Sequence, residues 1–161
     1  MIYPDLEEAK KIMKFGDYGV IPVCRELFAD QTTPIEVLRI LKNVSSHCYM
    51  LESVEDSKQW GRYTFLGYDP ILELTCQDHE LTIKTGMTIT KKIEHPREYI
   101  REILAENRSP KLEGLPTFTG GFVGYFSYDY IKYSEPSLRL NARDEEGFKD
   151  VDLMLFNKVI A

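Results

Sequence analysis

A carboxylate and a hydroxyl stand together at the end of an apolar segment, because Glu52 and Ser53 directly follow the run from His47 to Leu51. An unpaired charge at the end of a buried strand is costly, so Glu52 needs a cation, backbone N–H groups or the ammonium group of a ligand. Arg62 is the nearest cationic candidate, since it opens the next strand-like segment. Two interpretations stay open. Glu52 and Arg62 form a structural ion pair, or they form an amino-acid site in which Glu52 binds the ammonium group and Arg62 the carboxylate.

Other segments that suggest chemistry have simpler explanations. The run from Gly120 to Tyr125 lacks the spacing of a phosphate-binding loop and continues as a strand, so its glycines predict a bulge or close packing against another backbone. Asp129, Lys132 and Glu135 lie close enough to form a polar cluster, for which solvated turn charges are the default explanation. No nucleophile with a neighbouring base stands out, and we predict no catalytic residue.

Composition limits the partners and the compartment. The 161 residues are 43% hydrophobic and 29% charged, which predicts one globular domain over 1–161. The net charge of −6 disfavours nucleic acid as a partner. The three cysteines and three histidines are scattered, which predicts buried reduced thiols and no metal site. The sequence shows neither a secretory leader pattern nor an apolar run of membrane-spanning length, so we expect a cytoplasmic protein without a membrane partner.

Helix and strand signals follow one another in the order of an α+β fold. Helices are predicted from Asp5 to a left-handed terminus at Gly16, from the capping box at 33–36 through Leu41, and from Pro96 to Asn107. Strands are predicted over 18–28, 47–52, 62–67, 71–77, 80–84, 87–91, 118–128 and 152–160. We therefore expect an antiparallel β-sandwich with flanking helices.

Two features of the strand patterns add detail. Leu81, Ile83, Met87 and Ile89 alternate with polar residues, which predicts a sheet with one buried face. The last strand pattern reaches almost to Ala161. Natural domains usually end in a polar tail or linker, so this abrupt end predicts a fragment of a longer protein.

Three segments together resemble one protein family. Tyr49–Ser53, Trp60–Gly67 and Phe118–Asp129 are similar, in order and spacing, to the amino-terminal region of anthranilate synthase component I. The segments 21–26 and 30–34 resemble the lead-in of that region, and 150–154 resembles its exit. The resemblance covers nearly the whole chain.

This resemblance implies a tryptophan-binding site. Glu52 and Ser53 match the Leu-Leu-Glu-Ser element of the family, which contacts the feedback inhibitor tryptophan, and Met50 replaces a leucine of that element. Arg62 and Pro34 are weaker matches beside the same site. Elsewhere, lysine at position 132 stands where the family often has arginine, which keeps the charge but loses the bidentate geometry.

The resemblance also implies what the chain lacks. In the family, a carboxy-terminal domain binds chorismate and Mg²⁺ and completes the tryptophan pocket, and its motifs are absent here. The implied parent enzyme is a lyase of tryptophan biosynthesis. It converts chorismate and ammonia, supplied by a glutamine amidotransferase subunit, to anthranilate and pyruvate. As the amino-terminal half of a chorismate-utilising fold, the chain alone is expected to be inactive and to hold no cofactor.

Two alternatives remain open. Aminodeoxychorismate synthase component I has a similar amino-terminal domain, which in some members holds tryptophan as a structural ligand. A stand-alone amino-acid-binding module is the alternative from another class. A chorismate-binding domain encoded in frame downstream would support a synthase, whereas an early stop codon would support the module.

Overall fold

The structure, a computed structural model, describes residues 2–52, 63–135, 137–138 and 145–161. Its helices are α1 (Leu6–Phe15), α2 (Pro34–Val44) and α3 (Pro96–Glu106), and a 3-10 helix spans Tyr128–Tyr133. Its strands are β1 (Ile2–Tyr3), β2 (Cys24–Arg25), β3 (Cys48–Glu52), β4 (Thr64–Tyr68), β5 (Leu72–Gln77), β6 (Glu80–Lys84), β7 (Thr88–Lys92), β8 (Gly121–Phe126), β9 (Val151–Phe156) and β10 (Val159–Ile160). Among the described residues, the strands β3 to β7 follow one another without a helix between them, and every strand pair is antiparallel, which confirms the predicted α+β class.

The strands form three antiparallel sheets with the orders β1-β2, β10-β4-β3 and β7-β6-β5-β9-β8. The two larger sheets are joined by a bent two-stranded ribbon. In one strand of the ribbon β4 is followed by β5, and in the other β9 is followed by β10; β4 pairs with β10 and β5 pairs with β9. At the bend, the four residues 68–71 lie opposite the three residues 156–158. This extra residue is a bulge, which bends a ribbon sharply, and Asp69 there has a left-handed φ of 52°.

An apolar core lies between α3 and one face of the five-stranded sheet. Leu74, Leu81 and Val151 are fully buried on that face and form one cluster with Ile100 of α3. Such burial removes most of their apolar surface from water, at roughly 1.5–3 kcal/mol for each large side chain. The core fixes the sheet, and with it the position of both outer strands.

The predicted alternation in the hairpin β6–β7 is confirmed only for β6. Leu81 is buried and Ile83 packs partly against the core, whereas Met87 and Ile89 are exposed. The reason is that β7 is the outer strand of its sheet, and all five of its residues are exposed.

Helix boundaries follow the capping signals with one exception. Asp5 and Glu8 form a capping box at α1, and Thr33 and Glu36 form one at α2. The left-handed terminus predicted at Gly16 is wrong, because this residue has extended angles of φ −131° and ψ 150°. A side chain here would lie 2.0 Å from Cε2 of Tyr18, so the glycine makes room for that ring.

The strand predicted over 18–28 is also wrong for most of its length. Only Cys24–Arg25 is a strand, because its partner β1 has just two residues. The N–H groups of Gly19 and Val20 donate instead to the carbonyl oxygen of Arg108. A strand forms only where a neighbouring strand can accept its hydrogen bonds.

Close packing at the glycine-rich segment is confirmed. A Cβ atom at Gly124 would lie 2.0 Å from the carbonyl oxygen of Asp152 on the neighbouring strand. β8 and β9 pair without an extra residue from Gly121 to Phe126, so close approach rather than a bulge explains these glycines.

The prediction of buried, reduced cysteines is confirmed in part, since all three cysteines are free and Cys76 is buried.

Candidate functional site

Glu52 lies at the exposed end of an outer strand. It is the last residue of β3 and is paired with Thr64 of β4. β3 is partly buried at its first three residues, whereas Leu51 and Glu52 are exposed. The expectation that Glu52 lies at a buried position is therefore wrong. Because Glu52 is exposed, burial does not require it to form an ion pair. Ser53 and Arg62, the proposed neighbours of Glu52, lie outside the described residues.

Pro34 is the first residue of α2 and is exposed. The three residues 45–47 connect α2 to β3, and the two elements pack together, so they run in roughly opposite directions. Each is about 16 Å long at the usual rise per residue. The first turn of α2 therefore lies toward the same end of the unit as Glu52, while the last turn of α2 lies near the start of β3.

A groove lies beside the start of β3. It has a volume of about 590 Å³. Its floor is the face of β8 and β9 that points away from α3, including Val123, Tyr125 and Met154. Tyr49 of β3 and His47, the residue before β3, form a wall of this groove.

The side chain of Tyr49 in that wall packs against neighbouring strands. Its ring meets Phe156 edge-on, with 4.8 Å between the ring centroids. It also covers Gly67 on the paired strand, where an added Cβ would lie 2.1 Å from Tyr49 Cε1. Its hydroxyl oxygen is buried and has no hydrogen-bond partner in the part of the chain that the structure describes. Burial raises the pKa of the Tyr49 hydroxyl to about 12, so this group is a neutral donor at physiological pH.

A second polar cluster lies at the opposite face of the five-stranded sheet, around the buried carboxylate of Asp150. Its Oδ2 atom accepts hydrogen bonds from the Tyr133 hydroxyl at 2.7 Å and from the Asp78 N–H at 2.9 Å, and pairs with the Lys132 ammonium at 2.9 Å. Burial alone raises the pKa of Asp150, but the hydrogen bonds from Tyr133, Lys132 and Asp78 outweigh it and lower the pKa below its ordinary value.

Lys132 and Tyr133 hold this cluster together. Lys132 also binds Asp78 Oδ1 at 2.8 Å, and the two carboxylates raise the pKa of Lys132 although burial opposes them. The Tyr133 hydroxyl accepts a hydrogen bond from the His79 N–H at 3.1 Å. The default expectation of solvated turn charges at Asp129, Lys132 and Glu135 is wrong for Lys132, because it pairs with carboxylates of the β5–β6 turn and of the residue before β9. These contacts join residues 17 and 54 positions apart, so sequence proximity gave no signal for them.

Comparison with known proteins decides the family. The chain is 35% identical over 161 residues to anthranilate synthase component 1 of Acetivibrio thermocellus, which covers 99% of this chain and 32% of that protein. It is 37% identical over 154 residues to anthranilate synthase component 1 of Acinetobacter calcoaceticus, which covers 92% of this chain and 31% of that protein. The chain belongs to the anthranilate synthase component 1 family. It spans about one third of the length of these curated relatives.

The other comparisons add little to this relationship. A crystal structure of anthranilate synthase component I from Streptococcus pneumoniae TIGR4 matches 84% of this chain and 28% of that chain, with 23% sequence identity and a TM-score of 0.49. No family model matches the chain.

The Mg²⁺ implied for the component 1 family does not fit the residues at hand. Within 2–52, 63–135, 137–138 and 145–161, no group of three or more His, Cys, Asp or Glu side chains could hold a metal ion. His79 and His95 each direct Nδ1 at a backbone carbonyl oxygen, of Ile93 at 3.2 Å and of Tyr133 at 2.9 Å. In each ring, Nδ1–H therefore donates to that carbonyl oxygen, which is a structural contact. Among the same residues, no helix is both long enough and apolar enough to cross a membrane.

Proposed function

We propose that this chain is the amino-terminal domain of an anthranilate synthase component 1 and contributes part of a tryptophan feedback site. In this proposal, Glu52 binds the ammonium group of tryptophan, Ser53 lies beside it, and Arg62 and Pro34 border the same pocket. The proposal rests on similarity to component 1 proteins over nearly the whole chain, at 35% identity to one of them.

The exposure of Glu52 is the observation that supports its proposed role in binding tryptophan. An accessible carboxylate at the end of an outer strand can form a charge-assisted hydrogen bond with an ammonium group without first breaking a buried ion pair. The first turn of α2 lies toward the same end and can supply an apolar border through Pro34. A site open on one side is consistent with a pocket that the rest of the protein completes.

The proposed division of labour assigns the chemistry to the remaining two thirds of the protein. That part would bind chorismate and Mg²⁺ and convert chorismate and ammonia to anthranilate and pyruvate, with a glutamine amidotransferase subunit as ammonia source. The described residues offer no metal-binding group and no evident nucleophile–base pair for this reaction. In this proposal, the protein acts in the cytoplasm.

The decisive experiment is to express the complete reading frame that contains this chain, and to follow product formation from chorismate with ammonia. We expect anthranilate as the product and inhibition by tryptophan, whereas residues 1–161 alone should form none. Aminodeoxychorismate as the product would assign the chain to the related synthase instead. Micromolar tryptophan binding by residues 1–161, without any chorismate consumption by the complete protein, would overturn the proposal in favour of an independent amino-acid-binding module.

A further inference from the structure

Among the described residues, no strand pairs with the outer edge of β8, and this edge lacks the usual protection. Its sequence, Gly121 to Phe126, carries no charge, and Tyr125 and Phe126 are 39% and 51% exposed. At the opposite edge of the same sheet, β7 ends with Lys91 and Lys92. Natural sheets discourage pairing at free edges with charged side chains, above all lysine. The contrast indicates that β7 is a true edge and that another strand normally covers β8.

The groove beside β8 has room for such a strand. Val123, Gly124 and Tyr125 of β8 line it, and so do His47, just before β3, and Tyr49 of β3, which is itself the outer strand of its sheet. Every second residue of an outer strand directs its N–H and C=O away from its neighbour. An extended polypeptide segment can pair with these groups while it lays alternate side chains into the groove.

The hydroxyl of Tyr49 is a second sign that the groove is incomplete. Within the described ranges it is buried without a hydrogen-bond partner. Buried polar groups in native proteins nearly always have one, because an unsatisfied group loses its hydration without compensation. A neutral hydroxyl donor requires an acceptor, and the backbone carbonyl of an extended segment provides one.

We infer that the groove between β3 and β8–β9 is the docking site of an extended, largely apolar strand from the remaining two thirds of the same polypeptide, paired with the edge of β8. This inference rests on the proposed function, because the curated relatives are about three times as long as this chain. A covalently linked segment also has a high effective concentration, so even a small contact area suffices.

Hydrogen–deuterium exchange tests the pairing. The amides of 121–126 are compared in residues 1–161 alone and in the complete protein. We expect those facing away from β9 to exchange about 100-fold more slowly in the complete protein, while the amides of β7 change little. Unchanged exchange at β8 in a complete protein that makes anthranilate would overturn the docking inference and leave the proposed function standing. Slow exchange at β8 in a complete protein that does not act on chorismate would support docking and sink the proposed function.

A matched pair of lysine substitutions separates docking from general destabilisation. Val123→Lys puts a charge on the groove floor, and Ile89→Lys puts one on the already protected edge β7. In the complete protein, we expect Val123→Lys to restore fast exchange at β8 and Ile89→Lys to leave it slow. Equal, small effects of both substitutions would contradict the inference.

Photo-crosslinking identifies the occupant and does not depend on either lysine variant. A photoreactive phenylalanine analogue replaces Tyr125 in the complete protein, and the crosslinked peptides are sequenced. We expect crosslinks to residues beyond 161 of the same polypeptide. Crosslinks confined to residues 1–161, to a second copy or to another protein would each overturn the docking inference.

Discussion

The Tyr133 hydroxyl donates a hydrogen bond of 2.7 Å to the buried carboxylate of Asp150, 17 residues further along the chain. This contact joins the 3-10 helix to the residue before β9, on the face of the five-stranded sheet that packs against α3. Asp150 is only 3% exposed, so each donor that it receives replaces a hydrogen bond to water that folding has removed. The pair is therefore a structural support for β9 and, through β9, for β8 and the groove.

The first prediction is that Tyr133→Phe lowers the free energy of unfolding by roughly 1.5–3 kcal/mol, the range for a hydrogen bond to a charged group. The hydroxyl is lost, while the ring and its packing remain. Urea unfolding of the 161-residue chain measures the change. Tyr130→Phe, in the same 3-10 helix but outside this network, serves as control and should change stability by less than about 0.5 kcal/mol. Equal effects would show that the Asp150 bond is not the cause.

The second prediction concerns how the stabilising effect of Asp150 depends on pH. The pKa of Asp150 is lower in the folded protein than its ordinary value of 3.8, despite burial, because of its bonds with Tyr133, Lys132 and the Asp78 N–H. A lowered folded-state pKa contributes stability that is fully present above the unfolded-state value and is lost as the pH falls through the folded-state value. We therefore expect the difference in unfolding free energy between wild type and Asp150→Asn to be constant near neutral pH and to shrink below about pH 4. Urea titrations at a series of pH values measure it. A difference that does not depend on pH would contradict an ionised Asp150.

Sequence patterns predicted the local features well, and the long-range contacts poorly. The capping boxes at Asp5 and Thr33 depend on side chains three residues apart, so their signal is contained in a short window. The buried bond between Tyr133 and Asp150 depends on how the sheet folds back on itself, which no local pattern specifies. The same limit explains why Glu52 was expected to be buried. An apolar run indicates a strand, but not whether a neighbouring strand covers its end.

The third prediction tests the packing of Tyr49 over Gly67. A methyl group at position 67 would lie 2.1 Å from Tyr49 Cε1, so Gly67→Ala must displace the ring from Phe156. Overpacking of this kind costs roughly 1–3 kcal/mol. In a Tyr49→Leu background, the atoms that obstruct the methyl group are absent, and most of this cost should disappear. A double-mutant cycle by urea unfolding gives the coupling energy. A coupling near zero would mean that Tyr49 does not occupy the space over Gly67.

The last prediction concerns Glu52→Ala in the complete protein. Because Glu52 is exposed at the end of β3 and lies outside the part expected to bind chorismate, its loss should leave uninhibited turnover nearly unchanged. If it accepts a charge-assisted hydrogen bond from tryptophan, the loss costs about 1.5–3 kcal/mol, which raises the tryptophan concentration for half-inhibition roughly tenfold to a hundredfold.

A buried ion pair would behave differently, since removal of one partner destabilises a protein by roughly 3–5 kcal/mol. The exposure of Glu52 predicts less than about 0.5 kcal/mol instead, and therefore an almost unchanged melting temperature. Glu80→Gln, at an exposed glutamate of β6, controls for the loss of a surface charge and should alter neither inhibition nor melting. Full tryptophan sensitivity in Glu52→Ala, with normal melting, would refute the ligand role and leave Glu52 as an ordinary surface residue.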